Sequence, residues 1–458
     1  MPRKKKEDGE KTAVKKTVRK RKTAKPKADS KKTKKETKTP KKKSTKATTT
    51  EKTVQPVVNI GMIGHVDHGK TTLTECLSGK WTDTHSEELK KGITIRLGYA
   101  NCAFYKDATK KGTEAYTISP QTEDGKPNEL LRKISIVDAP GHESLMATML
   151  AGATIMHGAM VLISATETCP QPQTAEHIKA LEIMGIKHVI IVQNKIDLVD
   201  EEQAIANYKE IKAFLADTMY KDAPIVPISA QFKVNIDVLI ETIENTIPTP
   251  QPDLDKPARM FIARSFDINK PGQPISVMKG GVIGGAVQQG KFSVGDEIEI
   301  KPGHETEEKN QKIYKPIRTT ITGIMSGSDS IDTATPGGSV AFLTKLDPNV
   351  VKSDKLTGNL VGKPGELPET LNTLTLKTQL LERVVGAKDH IKVDPIKKGE
   401  VLMLNVNAAA TVGMVTELGK DKCTCKLKIP VCSAKGSRVT ISRVVHSRFR
   451  LIGFGIIE

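Results

Sequence analysis

The sequence predicts an α/β domain built on a doubly wound, mostly parallel sheet, followed by two β-barrels and preceded by a disordered, Lys-rich arm. Three observations support this prediction. Between residues 57 and 247, short apolar runs alternate with helical patterns, which is typical of parallel strands covered by helices on both faces. After residue 252 the helical period disappears, and short strand-like segments are separated by Gly, Pro and Asp turns. Residues 1–52 have no apolar periodicity at all.

The N-terminal arm holds most of the excess charge. The chain of 458 residues has a formal net charge of +18, and residues 1–52 contain 23 of its 71 Lys and Arg but only 6 of its 53 Asp and Glu. The rest of the chain therefore has 48 basic and 47 acidic residues and is nearly neutral. An arm of this composition cannot bury enough apolar surface to fold by itself. It can bind RNA phosphates without sequence preference or serve only as a solubilising tail, and both roles stay open.

The composition indicates a cytoplasmic protein with no membrane segment. No apolar run approaches the ~20 residues of a membrane span, and no secretory signal follows Met1. The six cysteines contain no Cys-x-x-Cys pair, as expected of free thiols in a reducing compartment. Cys423, Cys425 and Cys432 are close enough in sequence for a metal cluster, but the alternating pattern around them predicts a strand.

The first folded domain is expected over residues 53–249. Its predicted strands are residues 57–63, 134–137, 158–164, 188–192 and 225–228, and its predicted helices are residues 71–77, 174–184, 202–219 and 236–247. In such a sheet the ligand binds at the carboxyl ends of the strands. Pro-rich residues 248–252 mark the boundary to a first barrel over 250–365, and a Pro/Gly patch at 362–368 marks the boundary to a second barrel over 366–458.

A phosphate-binding loop follows the first strand. Residues 64–71 read Gly-His-Val-Asp-His-Gly-Lys-Thr, and a strand, a Gly-rich loop ending in Lys-Thr and a helix are the context that a P-loop requires. The backbone N–H groups of such a loop and the helix N-terminus bind oxyanions. We expect Lys70 to reach the outer phosphates and the Thr71 hydroxyl to bind Mg²⁺.

A second motif identifies the base as guanine. Residues 194–197 read Asn-Lys-Ile-Asp and follow a predicted strand. The Asp197 carboxylate can accept hydrogen bonds from the ring N–H and the exocyclic amine of guanine, which adenine lacks at those positions. Asn194 can bond the other edge of the base, and the Lys195 stem can lie along its face. Ser229 and Ala230 end the next strand, where backbone N–H groups can meet the guanine oxygen.

Two further segments have the properties of nucleotide-dependent switches. Residues 138–142, Asp-Ala-Pro-Gly-His, end a predicted strand. Asp138 is placed to hold Mg²⁺ through water, and Gly141 can approach the γ-phosphate with its N–H and change conformation. His142 would then point to the attacking water as the catalytic residue, with capping of the following helix as its alternative role. Thr94, in Lys-Gly-Ile-Thr-Ile, is a candidate Mg²⁺ ligand that binds only when the γ-phosphate is present.

Taken together, these four motifs resemble translational GTPases of the elongation factor Tu class. Other segments are similar to those of one family within this class, the gamma subunits of translation initiation factor 2. These segments are residues 87–99, 169–174, 264–272, 279–285 and 381–386. Asp67 in the P-loop resembles the archaeal form of the family, and the resemblance covers residues 55–458.

The resemblance implies a GTPase that carries methionylated initiator tRNA to the small ribosomal subunit, together with alpha and beta subunits. GTP and GDP are its implied ligands and Mg²⁺ its implied metal, bound by Asp67, Thr71, Gly92 and Thr94. The implied nucleotide contacts are Asp67, His68, Gly69, Lys70, Thr71, Thr72, Asn194, Lys195, Asp197, Ser229, Ala230 and Gln231. In the expected mechanism, γ-phosphate and Mg²⁺ order the segments around Thr94 and Gly141, and hydrolysis releases the tRNA. Tyr99 would stack on the tRNA or serve as a core or hinge aromatic.

The sequence departs from this family at one point. Family members usually carry a four-cysteine zinc knuckle between the segments that contain Tyr99 and Asp138, but the interval 101–133 holds only Cys102. One thiol cannot supply the four ligands of a structural zinc site. Zinc is therefore not expected, and the interval is predicted to be a polar, flexible insert.

Two alternative functions remain at this point. One is an elongator-type carrier that delivers aminoacyl-tRNA without partner subunits. The other is a GTPase subunit of a metabolic, sulfate-activating enzyme, a class that also has a P-loop, an Asp-x-Pro-Gly-His motif and barrels. The family-like segments in the barrels argue against both.

Overall fold

The computed structural model describes residues 55–82, 88, 94–309, 311–384, 391–445 and 448–458. The predicted disordered arm and Gly92 lie outside these residues. None of the helices in the described ranges has the length and hydropathy that a membrane span requires.

The first domain contains a seven-stranded sheet with helices on both faces. Its strands in chain order are β1 Val58–Gly64, β2 Gly98–Lys106, β3 Tyr116–Thr117, β4 Glu129–Asp138, β5 Gly158–Ser164, β6 His188–Asn194 and β7 Ile225–Pro227. The spatial order is β3-β2-β4-β1-β5-β6-β7, in which β4, β1, β5, β6 and β7 are parallel and β2 and β3 run antiparallel to their neighbours. The doubly wound, mostly parallel sheet is therefore confirmed.

Two apolar cores lie on opposite faces of this sheet. Along β5, Val161 belongs to one core and Leu162 to the other, because successive side chains of a strand point to opposite faces. The covering helices are α1 Lys70–Ser78, α2 Met146–Ala153, α3 Pro172–Met184, α4 Glu201–Leu215 and α5 Ile236–Thr246. Short 3₁₀ helices span Gly112–Ala115, Glu143–Leu145 and Ile196–Leu198. All four predicted helices are present, and α2 is an additional one.

The prediction of a flexible insert at residues 101–133 is wrong. Most of β2 and the start of β4 lie in this interval and pair with each other, and Phe104 is fully buried between them and the helices. Arg132 donates from Nε to Glu244 on α5 at 2.8 Å and from Nη2 to the Ile243 carbonyl at 3.1 Å. Every second residue from Ala100 to Phe104 is buried, so a period-2 strand pattern was hidden among polar neighbours.

The two barrels each close with six strands. The first contains β8 Arg259–Phe266, β9 Val282–Gln289, β11 Glu297–Glu308, β12 Gln311–Ser326, β15 Ser339–Thr344 and β16 Leu360–Gly362, and closes through pairing of β11 with β12. Shorter elements accompany it: β10 Phe292–Ser293, β13 Asp329–Ile331, β14 Thr333–Ala334, helix α6 Pro348–Val351, and 3₁₀ turns Ile275–Val277 and Lys352–Asp354. The predicted barrel architecture is confirmed.

The second barrel is formed by β17 Thr370–Leu380, β18 Val401–Val406, β19 Ala409–Leu418, β20 Lys422–Cys432, β21 Arg438–Val445 and β22 Arg448–Ile457. Cys423, Cys425 and Cys432 all lie on β20, so the predicted strand is present. The domain boundaries proposed at residues 52, 249 and 365 remain predictions.

Both barrels contact the nucleotide-binding domain. Arg450 on β22 donates to the buried Glu176 carboxylate on α3 at 2.7 Å, and Asn405 donates to the Ala147 carbonyl on α2 at 3.0 Å. From the first barrel, Arg264 donates from Nη1 to the Leu97 carbonyl at 3.3 Å. The barrels thus contact the segments that flank the predicted switch residues Gly141 and Thr94.

Candidate nucleotide-binding site

The P-loop joins the end of β1 to the start of α1. Asp67 and Gly69 adopt left-handed backbone conformations, with φ of 61° and 90°. They turn the loop so that it leads directly into the N-terminus of α1, where backbone N–H groups are unsatisfied within the helix. The buried Lys70 ammonium donates to the His65 carbonyl at 2.6 Å. A positive charge is therefore held across the loop, where phosphate oxygens would bind.

His68 faces away from the loop's binding surface. Its ring is fully buried, with Nδ1 2.9 Å from the Leu162 carbonyl oxygen and Nε2 3.3 Å from the Glu167 carboxylate. Because the carbonyl can only accept, Nδ1 carries the proton. Burial lowers the pKa of His68. Its predicted nucleotide contact can therefore come only from its backbone, while its side chain fixes the loop to β5.

The P-loop and the two switch segments surround a cleft of about 350 Å³. The cleft is lined by Val66, Asp67, Gly69, Lys70, Thr71, Thr72, Trp81, Thr94, Gly141, His142 and Lys195. Nine of these eleven are residues that the sequence motifs singled out; the other two are Val66 and Trp81. Trp81 is new: it is the single tryptophan of the chain, it lies outside every motif, and it is 43% exposed. Its position makes it a natural fluorescence reporter of the cleft.

Oxygen donors meet at one end of the cleft. Thr71 Oγ1 donates to Asp138 Oδ2 at 2.9 Å and lies 3.4 Å from Thr94 Oγ1. Thr82 Oγ1 donates to the same Asp138 oxygen at 2.6 Å, a contact that no motif indicated. Hydroxyl and carboxylate oxygens are the ligands that Mg²⁺ prefers. The donor set therefore matches the predicted metal.

Gly141 packs directly against the P-loop. A Cβ atom built on Gly141 would lie 2.5 Å from the Gly64 carbonyl oxygen, 2.6 Å from Lys70 Nζ and 2.9 Å from the His65 carbonyl carbon. No side chain can occupy this space without displacing backbone. The glycine is therefore required by the close approach of two segments. Its position beside the outer phosphate stays a prediction.

His142 follows at the exposed rim of the cleft. Its Nδ1 accepts from the Ser144 N–H at 3.2 Å and lies 2.8 Å from Ser144 Oγ, so the side chain caps the 3₁₀ helix Glu143–Leu145. This is the alternative role named above. The two contacts with Ser144 involve Nδ1 and fix the orientation of the ring. A contact of the ring with a substrate would therefore use Nε2. The catalytic role of His142 stays a prediction.

Asn194 joins the predicted base-binding loops to the P-loop. Its Nδ2 donates to the His68 carbonyl at 2.9 Å, and its Oδ1 accepts from the Ala230 N–H at 3.1 Å. The side chain is buried, so it fixes the loops after β6 and β7 around the P-loop. Lys195 is left-handed, with φ of 64°, and lines the cleft.

The remaining base-binding candidates lie at the same edge of the sheet. Asp197 and Gln231 are exposed, whereas Ser229 is buried and accepts from the Phe232 N–H at 3.2 Å. The structure thus places the predicted phosphate, metal and base residues at the carboxyl ends of β1, β4, β6 and β7, as expected for a parallel sheet.

A second, larger cavity of about 1000 Å³ lies between this domain and the first barrel. Arg96, Leu97 and Tyr99 form one wall, and Arg264 and Gly285 are part of the opposite wall. The Tyr99 hydroxyl is enclosed and has no hydrogen-bond partner among the described residues. Burial raises the pKa of Tyr99. The segments 87–99, 264–272 and 279–285 that were singled out from the sequence contribute residues to its walls. The sequence did not indicate the contacts between the two walls, because they come from parts of the chain more than 150 residues apart.

Two family models match the chain. The elongation factor Tu GTP binding domain matches residues 55–249, and the C-terminal domain of initiation factor eIF2 gamma matches residues 372–457. The first match covers the nucleotide cleft, and the second covers the second barrel.

Proteins named translation initiation factor 2 subunit gamma are similar over nearly their whole length. The protein from Methanococcus maripaludis is 54% identical over 404 residues, which cover 88% of this chain and 98% of that protein. The protein from Methanothermobacter thermautotrophicus is 53% identical over 405 residues, which cover 88% of this chain and 99% of that protein. The protein from Pyrococcus horikoshii is 53% identical over 407 residues, which cover 89% of this chain and 98% of that protein.

Solved structures share the three-part architecture. A bacterial selenocysteine-specific elongation factor aligns with a TM-score of 0.66 and 26% identity, over 88% of this chain and 58% of that longer protein. The elongation factor SelB from Methanococcus maripaludis, in complex with a GTP analogue, aligns with a TM-score of 0.63 and 22% identity, over 88% of this chain and 78% of the other. The second likeness shows the fold alone.

Proposed function

Since the chain belongs to the gamma-subunit family of translation initiation factor 2 and is a GTP-hydrolysing subunit of a multi-subunit initiation factor, we propose that it carries methionylated initiator tRNA to the small ribosomal subunit. GTP hydrolysis is the release step. The alpha and beta subunits are its partners, and the cytoplasm, where these partners act, is its location.

One observation supports this proposal above the others: a single segment lines both sites. Thr94 lies 3.4 Å from Thr71 in the nucleotide cleft, and Arg96, Leu97 and Tyr99 form a wall of the interdomain cavity. A change at the outer phosphate that moves Thr94 therefore also changes the cavity. This is the connection that a GTP-dependent carrier needs.

In the nucleotide cleft, we assign the phosphates to the P-loop backbone from Asp67 to Thr72 and to Lys70. Asp197 and the backbone of Ser229, Ala230 and Gln231 recognise guanine. Asn194 fixes these loops to one another and retains one amide hydrogen for the base. Lys195 covers the face of the base.

Mg²⁺ fits the cluster of oxygen donors, and we assign it to Thr71, Thr94 and, through water, Asp138. Asp67 and Gly92 complete the assignment that the family resemblance implies. When bound, Mg²⁺ neutralises the charge that develops between the outer phosphates. The Thr82 hydroxyl, through its bond to Asp138, orients that carboxylate.

His142 orients the attacking water in this proposal. Replacing it with alanine is expected to lower the rate of GTP hydrolysis about 100-fold, while the affinity for a GTP analogue, followed by Trp81 fluorescence, stays within about threefold of wild type. Ser144→Ala is the matched variant, since it removes the hydroxyl bond but keeps the ring. Equal loss in both variants would show that His142 acts only through helix capping.

The interdomain cavity is assigned to the aminoacylated end of the tRNA. Its volume of about 1000 Å³ is at the upper end of small-molecule pockets and accommodates a terminal nucleoside with its amino acid. Lys80, Arg96 and Arg264 supply positive charge for the phosphates, and the enclosed Tyr99 hydroxyl offers a polar contact. A stacking role for Tyr99 is part of this proposal.

The test is filter binding of methionylated initiator tRNA to the complex with its partner subunits, with a GTP analogue or GDP. Elongator methionyl-tRNA is the competitor. We expect strong, analogue-dependent preference for the initiator. Equal binding of both tRNAs would favour a general carrier, and no binding in either nucleotide state would contradict tRNA delivery and favour a GTPase of metabolism.

A further inference from the structure

One carboxylate, Asp354, binds two arginines that line the interdomain cavity and belong to different domains. In the first barrel, Asp354 Oδ1 accepts a hydrogen bond from Arg264 Nε at 3.0 Å. The other oxygen, Oδ2, lies 3.1 Å from Arg96 Nη1. Arg264 is on β8 of the same barrel, whereas Arg96 belongs to the nucleotide-binding domain. The side chains of Asp354, Arg264 and Arg96 are 21%, 23% and 39% exposed, respectively. The ion pairs are thus only partly screened by water.

The backbone that presents this carboxylate has a rare conformation. Ser353 and Asp354 are consecutive left-handed residues, with φ of 59° and 60°, a region that side chains other than glycine seldom adopt. The Ser265 N–H donates to Asp354 Oδ1 at 3.0 Å, and Ser265 Oγ donates to the Val351 carbonyl at 2.8 Å and accepts from the Leu356 N–H at 3.1 Å. The barrel alone therefore holds Asp354 in place, and Arg96 docks onto a preformed acceptor.

Arg96 is tied to the nucleotide cleft. It lies two residues after Thr94, whose hydroxyl is 3.4 Å from that of Thr71. The buried Glu88 carboxylate accepts from the N–H groups of Ile95 at 3.1 Å and Arg96 at 3.0 Å. These two hydrogen bonds hold the backbone next to Thr94 in a fixed conformation. A displacement of Thr94 moves Arg96 with it.

Arg264 connects the same carboxylate to the cavity. It lines the cavity wall, and its Nη1 donates to the Leu97 carbonyl at 3.3 Å while its Nε bonds Asp354. Asp354 therefore aligns a cation of the barrel against the segment of the other domain that carries Thr94. Both arginines are positive groups at a site assigned to an anionic tRNA end.

We propose that Asp354 is a positioning residue that couples the nucleotide state to tRNA binding in the interdomain cavity. The proposal rests on the function proposed above and adds how that site is regulated. With Thr94 at Thr71, Arg96 and Arg264 share the Asp354 carboxylate and the cavity wall is complete. With Thr94 displaced, Asp354 holds Arg264 alone, Arg96 leaves the wall, and the tRNA end loses its aligned cations.

The first test replaces Asp354 with asparagine in the full complex. Asparagine has nearly the same shape and accepts the left-handed conformation, so the change removes charge without adding backbone strain. We measure the dissociation constant of methionylated initiator tRNA with GDP and with a GTP analogue. The GDP-to-analogue ratio is expected to fall about tenfold, within the usual range of coupling between two sites.

A matched variant and a separate readout distinguish coupling from a structural role. Glu305→Gln removes the ion pair with Lys312, 2.6 Å apart on the same barrel, and is expected to leave the ratio unchanged. The affinity of Asp354→Asn for the GTP analogue, followed by Trp81 fluorescence, is expected to stay within twofold of wild type. A merely structural role would weaken tRNA binding equally in both nucleotide states and leave the ratio unchanged, which would overturn the proposal.

Hydrogen exchange of β8 tests the coupling without tRNA. In the wild type, the backbone of Arg259–Phe266 is expected to exchange more slowly with the GTP analogue than with GDP, and in Asp354→Asn this difference disappears. If the wild type binds tRNA equally in both nucleotide states, the proposed function and its coupling to tRNA fail together, while the exchange result still decides whether Asp354 links the nucleotide state to β8. If β8 exchange in the wild type does not respond to the nucleotide, the coupling is wrong even where tRNA delivery holds.

Discussion

Replacing Gly141 with alanine is expected to lower GTP hydrolysis about a thousandfold and to abolish the preference of the protein for tRNA in the GTP state. The added methyl group would lie 2.5 Å from the Gly64 carbonyl oxygen and 2.9 Å from the His65 carbonyl carbon. Both are backbone atoms of the P-loop and cannot move aside as a flexible side chain can. The segment with Gly141 and His142 must therefore shift away, and small displacements of catalytic groups reduce rates steeply.

The measurement is GTP hydrolysis under single-turnover conditions, with tRNA binding in the presence of a GTP analogue and GDP. GDP affinity is expected to change little, because the segment approaches the outer phosphate. Gly323→Ala is the matched control, since a Cβ there meets nothing nearer than Leu343 at 3.9 Å. Hydrolysis within tenfold of wild type in Gly141→Ala would show that the segment does not approach the γ-phosphate during the reaction.

Gly141 also illustrates what the sequence can predict. The motif predicts that this glycine lies beside the outer phosphate, and the structure shows that it packs against the P-loop, where only glycine fits. The same holds for Asn194 and the loops after β6 and β7, because parallel strands bring their carboxyl ends to one edge of the sheet. Motifs on successive strands therefore predict a site even when more than 100 residues separate them.

Three features of the site could not be predicted from the sequence motifs. Thr82 bonds Asp138 at 2.6 Å from a loop with no repeating pattern, and Trp81 lines the cleft from the same loop. The His68 ring faces the domain interior, which no spacing rule indicates for a residue in a phosphate loop. These contacts depend on how side chains pack in three dimensions, and periodicity carries no information about that.

The contacts that join the walls of the interdomain cavity could not be predicted for a related reason. The Arg96–Asp354 contact joins residues 258 positions apart in different domains, and its carboxylate lies in a short turn that reads only as a polar break between strands. In the interval 101–133, by contrast, the pattern was present but short: Cys102 and Phe104 are buried at alternate positions. A long polar hairpin therefore concealed a strand that pairs along most of β4.

Replacing Asp197 with asparagine is expected to weaken GTP binding about a thousandfold. A carboxylate accepts two hydrogen bonds from guanine, at the ring N–H and the exocyclic amine, whereas the asparagine amide directs its own N–H₂ at that amine. In the variant, the exocyclic amine of guanine loses its acceptor, and a buried donor without an acceptor lowers the affinity strongly. Asp197 is an exposed residue in the middle of the 3₁₀ helix Ile196–Leu198, two positions after the left-handed Lys195. The substitution therefore leaves the core packing unchanged.

Xanthosine triphosphate makes this prediction specific to base recognition. Xanthine has a carbonyl where guanine has the amine, so the asparagine N–H₂ gains an acceptor and the variant is expected to bind this nucleotide more tightly than GTP. Trp81 fluorescence reports binding of both nucleotides to the wild type and the variant. Asp217→Asn, an exposed change in the same domain, is the control and should leave GTP affinity unchanged. If Asp197→Asn lost both nucleotides equally, the carboxylate would act on the shape of the cleft, and the assignment of guanine to Asp197 would be wrong.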